Sequence, residues 1–112
     1  RGIFHCFSGD ADEARRLLSL EGFMLGIGGT LTYKKSILPA VLKEIVPLER
    51  IVLETDSPYL SPEPHRGKLN IPGRTRFVAE KMAALRGISL EEVAAATTAN
   101  ACRFFRLPAL AN

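Results

Sequence analysis

The chain is poor in cysteine. Cys6 and Cys102 stand far apart, with no CxxC spacing, so neither a disulfide framework nor a thiolate metal knot is encoded. Each lies in an apolar stretch, and both are expected to be buried as small hydrophobes. No apolar run approaches membrane-spanning length, and no charged leader with an apolar core precedes the first apolar stretch. The expectation is a cytoplasmic protein with no membrane partner, cut from a longer one, since Arg1 opens almost directly onto a strand. There is no internal repeat and no low-complexity segment. Neither charge sign dominates: 15 Lys and Arg against 12 Asp and Glu give a net charge of +3. That mild excess tolerates a polyanionic partner without demanding one. At 112 residues and 46% hydrophobic, the chain can build one core and too little for two, so one domain or a piece of one is expected over 1–112.

What is present is a set of short apolar runs separated by helical patterns. The run Ile51-Val52-Leu53 leads into Glu54-Thr55-Asp56-Ser57-Pro58, an apolar strand ending in two carboxylates, hydroxyls and a proline. Gly2-Ile3-Phe4-His5-Cys6-Phe7 has the same form and carries a histidine before Ser8-Gly9-Asp10 turns the chain. Phe23-Met24-Leu25-Gly26-Ile27 passes into Gly28-Gly29, whose missing Cβ permits a tight exit or the close approach of another group.

Between these runs, Asp10 with Glu13 signals a capped helix with Ala14, Leu17 and Leu18 on its apolar stripe, ending by Gly22. Ser36 caps a second helix carrying Leu38, Val41, Leu42 and Ile45, with Pro39 in its first turn. The order strand, helix, strand, helix, strand predicts an α/β fold with three parallel strands over about 2–7, 23–28 and 50–55. A long loop with four prolines follows from Ser57 to about Thr75, and loops of that length in compact domains are usually functional or disordered. Two helices close the chain, one around Arg76 to Leu85 ended by Gly87 and one opened by Ser89-Leu90-Glu91-Glu92. A further helical turn is expected to hold Ala101, Phe104 and Phe105.

In parallel sheets of α/β proteins the C-terminal strand ends carry the chemistry. Asp56 sits at such an end. A carboxylate there must be hydrogen-bonded, ion-paired or metal-bound, so it is a catalytic or ligand candidate with a turn cap as the alternative. His5 is the second candidate ligand, against a core histidine bonded to a backbone carbonyl. Glu54 either orients a ligand or forms a salt bridge. The stretch His65-Arg66-Gly67-Lys68-Leu69-Asn70-Ile71-Pro72-Gly73-Arg74-Thr75-Arg76 contains four cations and no acid. Arg66, Lys68 and Arg74 suit phosphate oxygens, or form a solvated basic loop, and Lys34 and Lys35 would add charge on the same rim. No aromatic residue interleaves this stretch, so an open base-stacking platform is not indicated.

Phe4-His5-Cys6-Phe7-Ser8-Gly9, Gly26-Ile27-Gly28-Gly29-Thr30 with Thr32-Tyr33, Leu53-Glu54-Thr55-Asp56-Ser57-Pro58-Tyr59-Leu60, Pro64-His65-Arg66-Gly67-Lys68-Leu69-Asn70 and Ala96-Thr97-Thr98-Ala99-Asn100-Ala101 together resemble the TatD family of metal-dependent deoxyribonucleases. The resemblance spans nearly the whole chain. It implies the C-terminal part, strands six to eight and the terminal helices, of a (β/α)₈ barrel of the amidohydrolase type. It implies His5 as the sixth-strand metal ligand and Asp56 as the eighth-strand carboxylate. It also implies a divalent metal (Zn, Mg or Mn, two ions in the intact enzyme) and DNA as the substrate of the intact parent. The family's first-strand histidine pair, bridging glutamate and fifth-strand histidine have no counterpart here, and Ile71 stands where members commonly carry Glu. The 112-residue chain alone is therefore expected to be inactive and to self-associate. Two rivals remain: an amidohydrolase-type hydrolase of small esters or lactones, and a non-catalytic module that binds nucleic acid weakly.

Overall fold

The computed structural model describes residues 1–108; residues 109–112, the end of the domain expected over 1–112, lie outside the described residues. Three strands, β1 (Gly2–Phe4), β2 (Phe23–Ile27) and β3 (Ile51–Leu53), form one parallel sheet in the order β1-β2-β3. Gly2 pairs with Phe23 and Phe4 with Leu25, while Leu25 pairs with Ile51 and Ile27 with Leu53. Helix α1 (Ala11–Leu18) connects β1 to β2, and α2 (Leu38–Glu44) connects β2 to β3. Helices α3 (Thr75–Arg86) and α4 (Leu90–Phe105) follow the long loop. The expected α/β fold with three parallel strands is the one observed.

The helix signals in the sequence work as read. Asp10 and Glu13 form a reciprocal capping box on α1, and Ser89 and Glu92 form another on α4. Helix α3 ends at Gly87. Pro39 lies in the first turn of α2, where its missing N–H costs nothing. The core fills the space between sheet and helices with Leu25, Ile27, Leu31, Leu42, Ile51, Val78, Met82 and Val93, all at most 1% exposed.

Three long polar side chains tie the layers together. Arg50, just before β3, donates to the carbonyls of Leu18, Leu20 and Phe23, closing the end of α1 against the start of β2. Arg86 donates to the Leu42 and Val46 carbonyls at the end of α2. The buried Asn100 amide on α4 donates to the carbonyls of Leu48 and Ile51, each at 2.8 Å. Each satisfies carbonyls that a helix end or strand start would otherwise leave without partners.

Several expectations need correction. The first strand stops at Phe4 rather than near residue 7, because the chain turns at His5 and Cys6, with Cys6 at φ +52°. Its N–H turns away from the ladder and donates to the Glu54 carboxylate. The third strand is confined to Ile51–Leu53, since Leu48–Arg50 form a 3₁₀ turn. Helix α2 starts at Leu38; Ser36 lies outside it but still accepts the Leu38 N–H. The separate last turn around Ala101 to Phe105 is the continuous end of α4, because nothing in Leu90–Phe105 breaks the helix before Arg106. Cys6 and Cys102 are only half-buried, and Cys6 sits in a turn rather than a strand.

Candidate metal centre

Because the strands are parallel, β1 and β3 deliver their following residues to the same edge of the sheet. His5 emerges from β1 and Asp56 follows β3, with β2 between them. His5 Nε2 and Asp56 Oδ1 are 3.7 Å apart. On the other side of the imidazole, His5 Nδ1 lies 2.7 Å from Glu54 Oε1. The same Glu54 oxygen accepts the N–H of Cys6. Glu54 therefore reaches from β3 over β2 to β1. That path exists because β2 carries Gly26 at the crossing, where a Cβ would collide with the Glu54 carboxylate. Glycine in an apolar strand was legible as a point of close approach; the group that approaches was not.

Exposure grades the three side chains: His5 is 60% exposed, Asp56 43% and Glu54 17%. Glu54 is the least exposed of the three, and the other two face outward. The hydrogen bond to Glu54, then its negative charge, raises the His5 pKa above its ordinary 6.5, with Asp56 adding smaller contributions. Burial pushes the Cys6 thiol up, and the charges of Glu54 and Asp56 push it further, so Cys6 is not an activated nucleophile.

An imidazole nitrogen and a carboxylate oxygen facing one point, with the second imidazole nitrogen held by a carboxylate, is donor chemistry that suits zinc or manganese and, through the carboxylate, magnesium. Among the described residues no group of three or more His, Cys, Asp or Glu converges on one metal position. The pair fits a metal as part of a ligand set, not as a closed one.

The proline-rich loop folds back beside this edge. Asn70, 5% exposed, donates from Nδ2 to Thr55 Oγ1 and to the Tyr59 carbonyl, while its own N–H donates to Pro58. Ser61 Oγ donates to the Lys68 carbonyl. The Arg66 guanidinium lies over the Tyr33 ring, 3.9 Å from its centroid, and the Tyr33 hydroxyl donates to Ser61. Arg66 and Lys68 share the wall of a cavity of about 560 Å³ with Tyr33 and Tyr59. Arg74 is not on that wall: its guanidinium donates to the Leu69 carbonyl at 2.7 Å, bracing the loop from outside. The structure thus sets Glu54 and Asp56 on the two sides of the His5 imidazole, and places Arg66 and Lys68 on a separate cavity wall. Tyr33 and Asn70 stood in the sequence motifs, but their partners are long-range and had no local signal.

Residues 1–106 match the family model described as TatD related DNase. The chain belongs to the TatD family. It is 45% identical over 108 residues to the uncharacterized metal-dependent hydrolase YcfH of Escherichia coli K12, covering 96% of the chain and 40% of YcfH. To the uncharacterized metal-dependent hydrolase YabD of Bacillus subtilis it is 42% identical, covering 95% of the chain and 41% of YabD. The chain thus spans about two fifths of the length of these curated relatives. The crystal structure of YJJV, a TatD homologue from Escherichia coli K12, superposes with a TM-score of 0.86 at 33% identity, over 96% of this chain and 41% of that one. A TatD-family hydrolase from Entamoeba histolytica superposes at 0.76 with 27% identity, over 92% and 41%. Among the described residues no helix is long and apolar enough to cross a membrane.

Proposed function

We propose that this TatD-family chain is the C-terminal portion, strands six to eight and the terminal helices, of a (β/α)₈ metal-dependent hydrolase that cleaves phosphodiester bonds of DNA in the cytoplasm. The observation that carries it is the convergence of His5 Nε2 and Asp56 Oδ1 at 3.7 Å on the strand-end edge, with Glu54 on the opposite imidazole nitrogen. That edge is where α/β folds place reacting groups.

In this reading His5 and Asp56 are ligands of divalent metal (Zn, Mg or Mn, with two ions in the intact protein). The bound metal supplies a Lewis acid for a phosphoryl oxygen and a water made acidic enough to give hydroxide. Glu54 holds the imidazole by its Nδ1 proton, which keeps Nε2 free and fixes the ring plane. Asp56, beside that nitrogen, orients the attacking water and takes up its proton. Arg66 and Lys68 hold phosphate on the neighbouring loop, the first as a fork fixed by its stack on Tyr33 and the second as a point charge. Arg74 keeps the loop in place and has spare donors for a phosphate beyond it. Basic side chains on a loop beside the sheet edge that carries the two carboxylates favour a phosphodiester over an uncharged small ester.

The test uses the full-length protein that contains this chain, stripped of metal and reloaded. Oligonucleotide cleavage should depend on metal and be abolished by Asp56→Ala, with p-nitrophenyl esters and lactones turned over far more slowly. Ester turnover without DNA cleavage overturns the reading. The 112-residue chain alone, given excess divalent metal, should show no cleavage above its own Asp56→Ala control, because catalytic zinc sites need about three protein ligands plus water. Adding the missing N-terminal portion should restore it.

A further inference from the structure

Tyr33 and Arg66 are shared by two cavities. One is the Lys68 cavity described above. The other, of about 350 Å³, is walled by Ser8, Thr30, Lys35 and Ser36 in addition to the shared pair. Its wall residue Ser8 follows His5 by three residues in the chain. The walls present two cations and no carboxylate. They also present a surplus of hydroxyl donors. Thr30 Oγ1 is buried with no hydrogen-bond partner among the described residues, a costly state for a hydroxyl unless a ligand answers it. Ser36 Oγ accepts the Leu38 N–H at 3.2 Å, which leaves its own hydrogen to be donated into the cavity. The guanidinium fork of Arg66 is held in place by the Tyr33 ring, and that ring is fixed by its hydroxyl bond to the Ser61 carbonyl at 2.9 Å.

A cavity whose charged groups are both cations, set among hydroxyls, the Tyr33 ring and Ile37, favours an anion that carries an apolar part, such as a phosphate with its sugar. Its volume is at the lower end of small-ligand sites, enough for a phosphate with its sugar. We propose that this cavity is a second phosphate subsite, which holds a non-scissile phosphate of the substrate strand through Lys35, Arg66 and the hydroxyls of Thr30 and Ser36. The assignment rests on the phosphodiester reading above and deepens it. Tyr33 with Arg66 divides this subsite from the Lys68 cavity, so successive phosphates of one strand lie on the two sides of a single stacked pair. The basic loop then acts as a ruler that fixes which bond reaches His5 and Asp56.

The experiment is calorimetric and NMR titration of the metal-free full-length protein with inorganic phosphate, thymidine dinucleotide and its 5′-phosphorylated form. The phosphorylated dinucleotide should bind most tightly and shift the amides of Ser8, Lys35 and Ser36. Lys35→Ala should weaken it about tenfold, the scale of one lost charge-assisted contact, and Lys35→Gln should do the same while keeping the length of the side chain. Unchanged affinity in both variants, or shifts confined to Tyr59 and Lys68, would overturn the subsite. Inorganic phosphate binding as tightly as the phosphorylated dinucleotide would overturn its assignment to a substrate strand. Because binding is read without metal and without turnover, it separates from the reaction. Phosphate held at Lys35 in a full-length protein that leaves DNA intact removes the nuclease reading and keeps the anion site; DNA cleavage with an unaltered KM in Lys35→Ala removes the subsite and keeps the nuclease.

Discussion

His5 Nδ1 and Glu54 Oε1 lie 2.7 Å apart although 48 residues separate Cys6, the next residue, from the same carboxylate that accepts its N–H. One half-buried carboxylate therefore fixes both the ring and the turn that presents it. The hydrogen bond raises the His5 pKa above 6.5. The sign follows from linkage: a group whose folded pKa lies above its unfolded value contributes stability that is fully present below about 6.5 and is lost as pH rises through the raised value. An NMR titration of the metal-free chain should give a His5 midpoint above 6.5, moved down by Glu54→Gln. A wild-type midpoint at or below 6.5 would show that the contact does not persist in solution.

Gly26 gives a second handle on the same contact from a residue with no chemistry of its own. A methyl group there collides with the Glu54 carboxylate, while the nearest other atom, Ile3 Cγ2, is 3.3 Å away and can give. Gly26→Ala should therefore spare the fold and displace Glu54. The His5 midpoint should fall as it does in Glu54→Gln, and in the full-length protein metal-supported turnover should drop by about 10–100-fold, the usual cost of losing a residue that orients a ligand. Normal turnover in Gly26→Ala would place the support of His5 elsewhere.

How much of this was legible in the sequence depends on the range of each interaction. The capping boxes of α1 and α4 are local, three residues apart, and were readable as written. So was the order of strands and helices, because hydrophobic periodicity is local too. Strand ends were not, since β1 is cut short by a turn whose cause, Glu54, arrives from β3. His5 and Asp56 were found as strand-end polar residues. The Arg66 stack on Tyr33, the Asn100 bonds to Leu48 and Ile51 and the Arg50 bonds to Phe23 and α1 join residues far apart in sequence, and nothing in their neighbourhoods announces them.

Asn70 latches the proline-rich loop to the strand end through Thr55 and Tyr59. Asn70→Ala removes the donor to the Tyr59 carbonyl and one of the donors to the Thr55 hydroxyl, which keeps the Ser57 N–H, so the cost should be about 1 kcal/mol, the scale of one net hydrogen bond. The cost should appear first as loop opening: faster proteolysis between Ser61 and Arg74 and lost amide protection at Asn70, with a smaller fall in the urea midpoint. Wild-type proteolysis rates in this variant would demote the latch to a surface contact.

Arg66 and Lys68 share one cavity wall and stand apart from the His5 and Asp56 pair, so their kinetic signatures should differ from Asp56. In the full-length protein, replacing either cation with Ala should raise KM severalfold and flatten its salt dependence while kcat changes little. Asp56→Ala should act on kcat. Identical DNA kinetics in both loop variants would return the two cations to a solvated surface.

The 112-residue chain by itself should not remain monomeric. Its sheet has β1 at one edge and β3 at the other, and the three residues of β1 are all half-buried, which leaves that edge open to another strand. The apolar area at risk is not confined to the strands. On the strands themselves Ile27 and Ile51 are fully covered, and Met24 and Leu53 are partly open. Exposed apolar side chains on the loop and at the end of α4 add to it: Leu69 is 75% exposed, Ile71 53% and Phe105 56%. Water penalises such surface at about 25 cal/mol per Å², so pairing of two copies along β1 or through the loop lowers the free energy of both. Sedimentation velocity at micromolar concentration should show a dimer or larger species, and charged substitutions at Leu69 and Ile71 should shift it toward monomer if the loop is the contact. A compact monomer that leaves a hydrophobic dye dark would mean that the chain covers its own edges, and would count against its being a portion of a closed barrel.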